Sequence, residues 1–563
     1  MTTTASRFPL SLLIAAALTA CGGGGTDAAT GSPAPTPQTP QTPTPTTPPP
    51  AAAGFSFTLD TSKALVWQGQ QASVAVAVQR DAGFTDAIQF SAEDMPAGAT
   101  TAALSVPAGS NAGTLTLQAA TTAPHSLPTS VTIKGAGGTA NASKPLTVTV
   151  RGQAGDIDTS FGGGTLVTPG GITDDYVRGV AVQADGKAVV AGFGVFGAAT
   201  GTDFMLVRHL RDGGLDPSFG TGGKVSTAFN NGGRSDEAQA VAVQADGKIL
   251  VAGSSDQGAT GYDFALARYN ADGTLDTTFG SGGRVTTSFG NGADKAYALL
   301  LQPDGKIVLG GDSSQGANGS DFALARYNAD GSLDAGFGNG GKVLTAIGSD
   351  GARETIYALA MQTTGGVSRI VAAGGEGDFI AAAYRADGTL DAGFGTAGIV
   401  RGLFGSVTGA ARGVVVTADG KLVLAGHRDH DFAAVRLLPA GGLDANFGTG
   451  GRAVVAVSAD NWDEATALVQ QADGRLLLGG WMYTGNSSSA DTVLLRLNSD
   501  GSRDTGFSPN GIRVTAVASG IRTDSGRALA LQPDERVPTV RVLQAGEASG
   551  NSDLDIVLMR HWL

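Results

Sequence analysis

Residues able to do chemistry are sparse in this chain, and their spacing speaks mostly against catalysis. His427-Arg428-Asp429-His430 is the single cluster of metal-like composition, two imidazoles three positions apart with a carboxylate between them. Such ligands need an element that aims them together, and no helical periodicity accompanies these, so no metal is assigned. Gly192-Phe193-Gly194-Val195-Phe196-Gly197 has dinucleotide-loop spacing, but no helix pattern follows it, and the same slot one repeat later reads Gly253-Ser254-Ser255. Gly222-Gly223-Lys224-Val225 lacks the hydroxyl residue that a phosphate loop carries after its lysine, and no Gly-x-Ser-x-Gly elbow occurs. No cofactor is expected. The reading leans away from an enzyme, while leaving room for carboxylates assembled from distant loops.

What remains is binding chemistry. Trp462, Trp481 and Tyr483 adjoin His427 and His430 of the preceding repeat. An indole offers an apolar plate with a polar handle, and beside imidazoles and carboxylates it suits a sugar or a peptide. The stretch Asn270-Ala271-Asp272-Gly273-Thr274-Leu275-Asp276 has the oxygen-rich look of a calcium loop. Arg211-Asp212-Gly213-Gly214 and Ala440-Gly441-Gly442 break that spacing in sister copies, so a plain turn is the better reading.

The elements that must position these residues are repeats. Leu-Asp-x-x-Phe-Gly recurs with its Asp at 158, 216, 276, 334, 391, 444 and 504, at intervals of 58, 60, 58, 57, 53 and 60. Each unit shows four short strand signals; in the second they cover residues 223–227, 238–244, 248–252 and 264–269. Gln244-Ala245-Asp246-Gly247-Lys248 and Asn270-Ala271-Asp272-Gly273 supply the turns between them. Four antiparallel strands per unit, seven times over, predict an all-β, seven-bladed β-propeller. A four-stranded sheet cannot cover both its faces alone, so neighbours must do so. Gln362-Thr363-Thr364-Gly365-Gly366 and Gln532-Pro533-Asp534-Glu535-Arg536 lose the Asp-Gly-Lys turn, and a longer turn is expected there. His209 and His561 fill the slot of Tyr269 and Tyr327 and read as core residues. The chain enters on a first-strand sequence, residues 164–168, and leaves on a fourth, residues 555–562, which predicts that the opening strand completes the last sheet.

Leu215-Asp216-Pro217-Ser218-Phe219-Gly220, Val243-Gln244-Ala245-Asp246-Gly247-Lys248-Ile249 and Asp263-Phe264-Ala265-Leu266-Ala267-Arg268-Tyr269 resemble the delta-60 repeat family of bacterial proteins. The resemblance covers residues 156–563. It implies a β-propeller and carries no established activity.

Strand alternation assigns the faces. Asp-Gly-Lys and Leu-Asp-x-x-Phe-Gly share one face, and what every unit repeats serves scaffolding: the Asp carboxylates are expected to accept amides two residues on. The opposite face holds loops that differ between units, among them Thr173-Asp174-Asp175, Arg234-Ser235-Asp236-Glu237 and Asp460-Asn461-Trp462-Asp463-Glu464, and is the expected working surface.

Before the repeats, residues 54–152 alternate short apolar runs with turn formers, which predicts an antiparallel β-sandwich loosely similar to the immunoglobulin-like modules of bacterial surface proteins. Residues 21–53 are Gly, then Pro and Thr, with nine prolines from Pro33 to Pro50, a composition that favours an extended, unpacked linker. Residues 1–20 read as a signal peptide: Arg7, then an apolar run from Leu10 to Leu18 too short to span a bilayer. Leu18-Thr19-Ala20-Cys21 resembles the bacterial lipobox, which implies cleavage before Cys21, lipid on that residue and, with Gly22 rather than Asp next, sorting to the outer membrane.

Composition agrees. Of 563 residues 87 are Gly, about twice the usual share, as many tight turns require. The net charge of −13 opposes nucleic acid as a partner. Cys21 is the only cysteine, so no intrachain disulfide can form. The functional expectation is a cell-envelope lipoprotein whose propeller binds a protein or glycan without chemistry. The alternatives are an extracytoplasmic enzyme cleaving polysaccharide or peptide at the variable loops, and a structural spacer.

Overall fold

The computed structural model describes residues 53–563 except 125, 127, 197–200, 231–232, 291, 317–318, 349–352, 406–407, 459–461, 485–488, 518–522, 534–539 and 550–552. Cys21, the signal sequence and the linker lie outside the described residues. Among the described residues all regular structure is β apart from the 3-10 turn Pro509–Gly511, and no helix is long and apolar enough to cross a membrane.

The N-terminal sheets are built from alternation. Gln71–Arg80 buries Val74, Val76 and Val78 and turns the residues between them outward. One sheet orders Phe55–Leu59, Gln71–Arg80, Ala112–Ala119 and Ala99–Thr101; the other orders Lys63–Trp67, Ala140–Arg151, Thr129–Gly137, Ile88–Glu93 and Leu104–Val106. Both feed one core that includes Phe57, Ile88, Phe90, Leu115, Val131 and Val148.

The repeats form seven four-stranded antiparallel sheets among the described residues. Each takes three strands from one sequence repeat and its outermost strand from the next: Tyr176–Val182, Ala188–Val195 and Thr202–His209 are joined by Lys224–Thr227. The seventh sheet, Asp524–Pro533, Val540–Ser549 and Leu554–Trp562, has no following repeat. Its outer strand is Thr165–Thr168, paired antiparallel from Thr165 opposite Met559 to Thr168 opposite Ile556, as the frame of the repeats predicts.

Sheets cover one another through apolar side chains on both faces. Phe204, Leu206 and Phe219 of the first pack on Ile249, Val251 and Ala267 of the second, and Val177, Val190 and Met205 pack on Leu543, Ala545 and Leu558 of the seventh. The inner strand of each sheet touches that of the next, and the inner strand of the seventh, Asp524–Pro533, touches that of the first, Tyr176–Val182.

One turn expectation is corrected. At Gln362–Gly366 the additional residues extend the ladder, Thr363 opposite Ser368 and Thr364 opposite Val367, and a two-residue turn closes it. Gly365 and Gly366 sit at φ 59° and 80°, left-handed backbone that glycine adopts without penalty, so the hairpin lengthens while its turn stays tight. The corresponding turn at 534–539 lies outside the described residues.

Candidate functional site

The face built of repeated motifs is chemically spent. Asp216 Oδ1 accepts the Ser218 amide at 3.0 Å, the expected local turn, and Asp276 and Asp444 do the same with Thr278 and Asn446. The other oxygen takes two cations. Arg208 Nε donates to Asp216 Oδ2 at 2.8 Å and Lys187 Nζ lies 3.1 Å away, and the same trio recurs as Arg268, Lys248 and Asp276 and as Arg436, Lys421 and Asp444. Each arginine also lies 4.3–4.8 Å over the phenylalanine of its motif, as Arg208 does over Phe219, and those of the three trios, Arg208, Arg268 and Arg436, reach carbonyls of the next repeat at Ala271, Ala329 and Ser499. The Lys248 ammonium and the Thr278 hydroxyl hold Asp276 well below the usual carboxylate range. The calcium-like turns are closed by their own side chains, Asp272 accepting both the amide and the hydroxyl of Thr274. The arginine was missed in the sequence reading, although its signal was present: it stands eight residues before the motif Asp in five repeats.

The opposite end is different. Every inner strand carries a β-bulge near its start, which places Arg178, Gln239, Tyr297, Tyr357, Arg412, Thr466 and Arg527 in equivalent positions. Between neighbours, only Tyr297 with Tyr357 and Arg527 with Arg178 match in type. Tyr297 and Tyr357 meet at 5.4 Å, the Arg412 guanidinium lies 3.9 Å over the Tyr357 ring, and Arg412 Nε donates to Glu464 at 3.0 Å. Arg178 and Arg527 share Glu547, at 2.7 and 2.9 Å. Arg353 lies 3.8 Å from both Asp312 and Glu376. Burial pushes Asp312 up to about 6 in spite of Arg353. Burial would raise Glu464 too, but contact with His427 and the Arg412 charge bring it down to about 2.

The five residues singled out from the sequence join this network. His427 lies on Leu422–Arg428 with Nδ1 3.4 Å from Glu464. His430 stacks on Trp462 with ring centroids 4.0 Å apart and planes 10° from parallel. The Tyr483 amide donates to the Trp462 carbonyl at 2.9 Å, and Tyr483 meets Trp481 edge-on at 5.0 Å. Trp481 pairs with Glu464 across the ladder, and its buried indole N–H has no partner among the described residues. Trp462 is 40% exposed, so one face of its ring stays open to solvent. The turn that delivers His430 is two residues long, with Asp429 at φ 45° and His430 at φ 74°. Side chains there cost about 1–2 kcal/mol each, strain that tends to gather where a residue is held for use. No group of three or more His, Cys, Asp or Glu suited to a metal ion occurs among the described residues, His427 and His430 included.

A concavity of about 660 Å³ lies where the N-terminal sheets meet the repeats, between Gln68, Pro124 and Ile157. Its charged edge is spent in the 3.2 Å pair of Arg513 with Asp156.

Comparison with known proteins bears on the fold alone. Residues 183–219, 244–279, 302–337, 417–447 and 471–507 match the model of a domain of unknown function (DUF5122) described as a beta-propeller. No curated protein matches. Among solved structures, domains 4 and 5 of the S-layer protein SbsC match at 21% identity over 17% of this chain and 53% of that one, TM-score 0.14. The tail fiber of Staphylococcus aureus phage P68 matches at 13% identity over 47% of this chain and 50% of that one, TM-score 0.25. A DUF4784 family protein from Bacteroides caccae matches at 11% over 82% and 98%, TM-score 0.23. The chain thus spans about half the length of the first two. The five matches fall on the turn-to-motif segments of five units, passing over the one that ends at Phe394, and support a β-propeller repeat family for this region.

Proposed function

We propose that residues 156–563 form a seven-bladed β-propeller, carried behind an immunoglobulin-like module at 54–152, and that the chain is a lipoprotein anchored through Cys21 in the cell envelope, at the outer membrane. Its propeller binds a protein or glycan, without chemistry, at the end where the bulged inner strands begin. One contrast carries this reading. Groups repeated in every unit are consumed in internal bonds, as at Asp216, whereas the side chains at the other end differ from unit to unit and include an open indole face at Trp462. A scaffold needs sameness; a ligand site needs particular groups in particular places. Glu464, paired with Trp481 across the ladder, is spent on Arg412 and His427, which disfavours acid–base chemistry by that carboxylate.

The test is retention of envelope polysaccharides and envelope proteins on the immobilised protein, with Trp462→Ala as the comparison. Retention that falls about tenfold or more in the variant supports the reading, since anchors at binding sites carry that much. Failure to retain anything from either pool removes it. For the anchor, Cys21→Ser should move the protein from the membrane fraction to the soluble one; unchanged membrane association would rule out lipid at that residue.

A further inference from the structure

At the seams between sheets, on the loop end, two carboxylates meet. One stands near the start of a sheet's third strand and the other at or near the start of the next sheet's inner strand. The backbone sets them side by side: the Asp463 amide donates to the carbonyl of His430, the residue before Asp431, at 2.6 Å. Glu354 does so to Ser320, before Asp321, at 2.9 Å, and Asp175 to Leu554, before Asp555, at 2.8 Å. At the first seam, a Cβ on Gly201 would come within 2.8 Å of the Arg234 carbonyl, so the chain leading to Asp203 lies directly against the chain leading to Asp236.

At the first two seams one oxygen of each carboxylate is left without a partner among the described residues, while Asp263 Oδ2 accepts the Thr260 hydroxyl at 3.2 Å. Asp203 and Asp236 are 5% and 0% exposed, Asp263 and Asp294 6% and 0%. One oxygen of Asp236 accepts the Phe229 amide at 2.7 Å, and one of Asp294 the Phe289 amide at 2.7 Å. Oδ1 of all four aspartates has no partner among the described residues, nor has the buried hydroxyl of Thr202. Among the described residues no lysine or arginine pairs with them. Buried carboxylates facing one another cannot both stay ionised without a counter-charge.

We propose that the Asp203–Asp236 and Asp263–Asp294 seams each hold a divalent cation of the calcium class, bound through the free Oδ1 of both carboxylates and, at the first seam, by the Thr202 hydroxyl. All donors are oxygens, which selects a hard cation over zinc or copper. A proton is the competing neutraliser. With two carboxylates per seam, affinity falls in the ~10⁻⁴–10⁻³ M range typical of extracellular calcium modules. Each ion would tie two sheets together directly beneath the loops of the binding end.

The test strips the purified full chain with chelator and returns calcium at a few millimolar, with magnesium and an ionic-strength control alongside. Thermal midpoint and calcium bound per chain are read together. Calcium should raise the midpoint by several degrees, and Asp203→Asn with Asp236→Asn should remove about one calcium per chain. Asp263→Asn with Asp294→Asn serves as the independent pair if the first does not fold. Three results would overturn the proposal: no calcium retained by the natural protein, as much calcium retained by both double variants as by the natural protein, or a midpoint that rises on acidification alone and ignores calcium, which would assign the seams to protons.

Discussion

Arg369 reaches Asp391 from the wrong strand. Its Nη1 donates to Asp391 Oδ2 at 2.7 Å and its guanidinium lies 5.0 Å over Phe394, the bonds that Arg326 makes with Asp334 and Phe337 one repeat earlier. Arg326 stands on the third strand of its sheet; in the fourth repeat that slot is Ala383, and the guanidinium comes from the adjacent strand, Val367–Gly374. The carboxylate, half-sequestered behind its turn, demands a cation and a plate for it, and either strand can deliver them. Arg369→Ala should therefore lower unfolding stability by about 3 kcal/mol, the scale of a broken buried pair. Arg385, 56% exposed and 3.5 Å from the same Asp391, should cost under about 1 kcal/mol when replaced by Ala. Denaturant midpoints of the two variants decide it; equal losses would refute the distinction.

The core slot filled by Tyr269, Tyr327 and Tyr384 gives each phenol a threonine: Thr227, Thr287 and Thr345, at 2.9, 2.9 and 3.0 Å. In the last repeat the slot holds His561, and the equivalent Thr515 hydroxyl is buried without a partner among the described residues. His561→Tyr should restore that bond and raise stability by about 1 kcal/mol. It should also flatten an acid limb. Burial lowers His561 to about 4, so the unfolded chain takes up the proton first as pH falls from about 6.5 towards 4, and stability drops across that window. Melting curves of both proteins from pH 8 to 4 test both parts.

Asp236 has the opposite sign. Its pKa, raised by burial to about 6, means the ionised form destabilises the fold above that pH, and protonation relieves the cost below it. In chelator, Asp236→Asn should be more stable than the natural protein at pH 8, with the difference shrinking as pH falls below about 6. A difference that is constant with pH would show that Asp236 does not titrate in this way.

Deleting residues 156–170 removes the strand opposite Ile556–Met559 and uncovers Leu558 and Ile556, both fully buried. Thermal midpoint should fall by ten degrees or more, on the order expected for losing several buried side chains, and the open edge should promote association in light scattering. A monomer of unchanged midpoint would show that the pairing contributes nothing.

Periodicity made most of the fold legible. Seven Leu-Asp-x-x-Phe-Gly motifs, with turns such as Asp246-Gly247 between alternating strands, set sheet number, strand order and the offset that borrows Thr165–Thr168 for the seventh sheet. The aromatic patch was legible because Trp462, Trp481 and the two histidines are rare types close in sequence. The bulge row was not. A bulge is one additional residue in a strand of otherwise ordinary alternation, and nothing in Ala296-Tyr297-Ala298 says that Tyr297 will meet Tyr357 sixty residues on. The seam carboxylates were hidden for a similar reason: Asp203 and Asp236 look like ordinary loop acids until the packing of adjacent sheets buries them.

The seventh sheet sets a timetable. Thr165–Thr168 is made among the first strands of the repeat region, yet its partner, Leu554–Trp562, follows only after the strands of the six other sheets. Until that partner exists, the early strand keeps an unpaired edge and the structure has a gap one strand wide. Synthesis of Leu554–Trp562 and locking of the structure are therefore a single event, and a product that stops before it would present the early strand as an exposed ribbon.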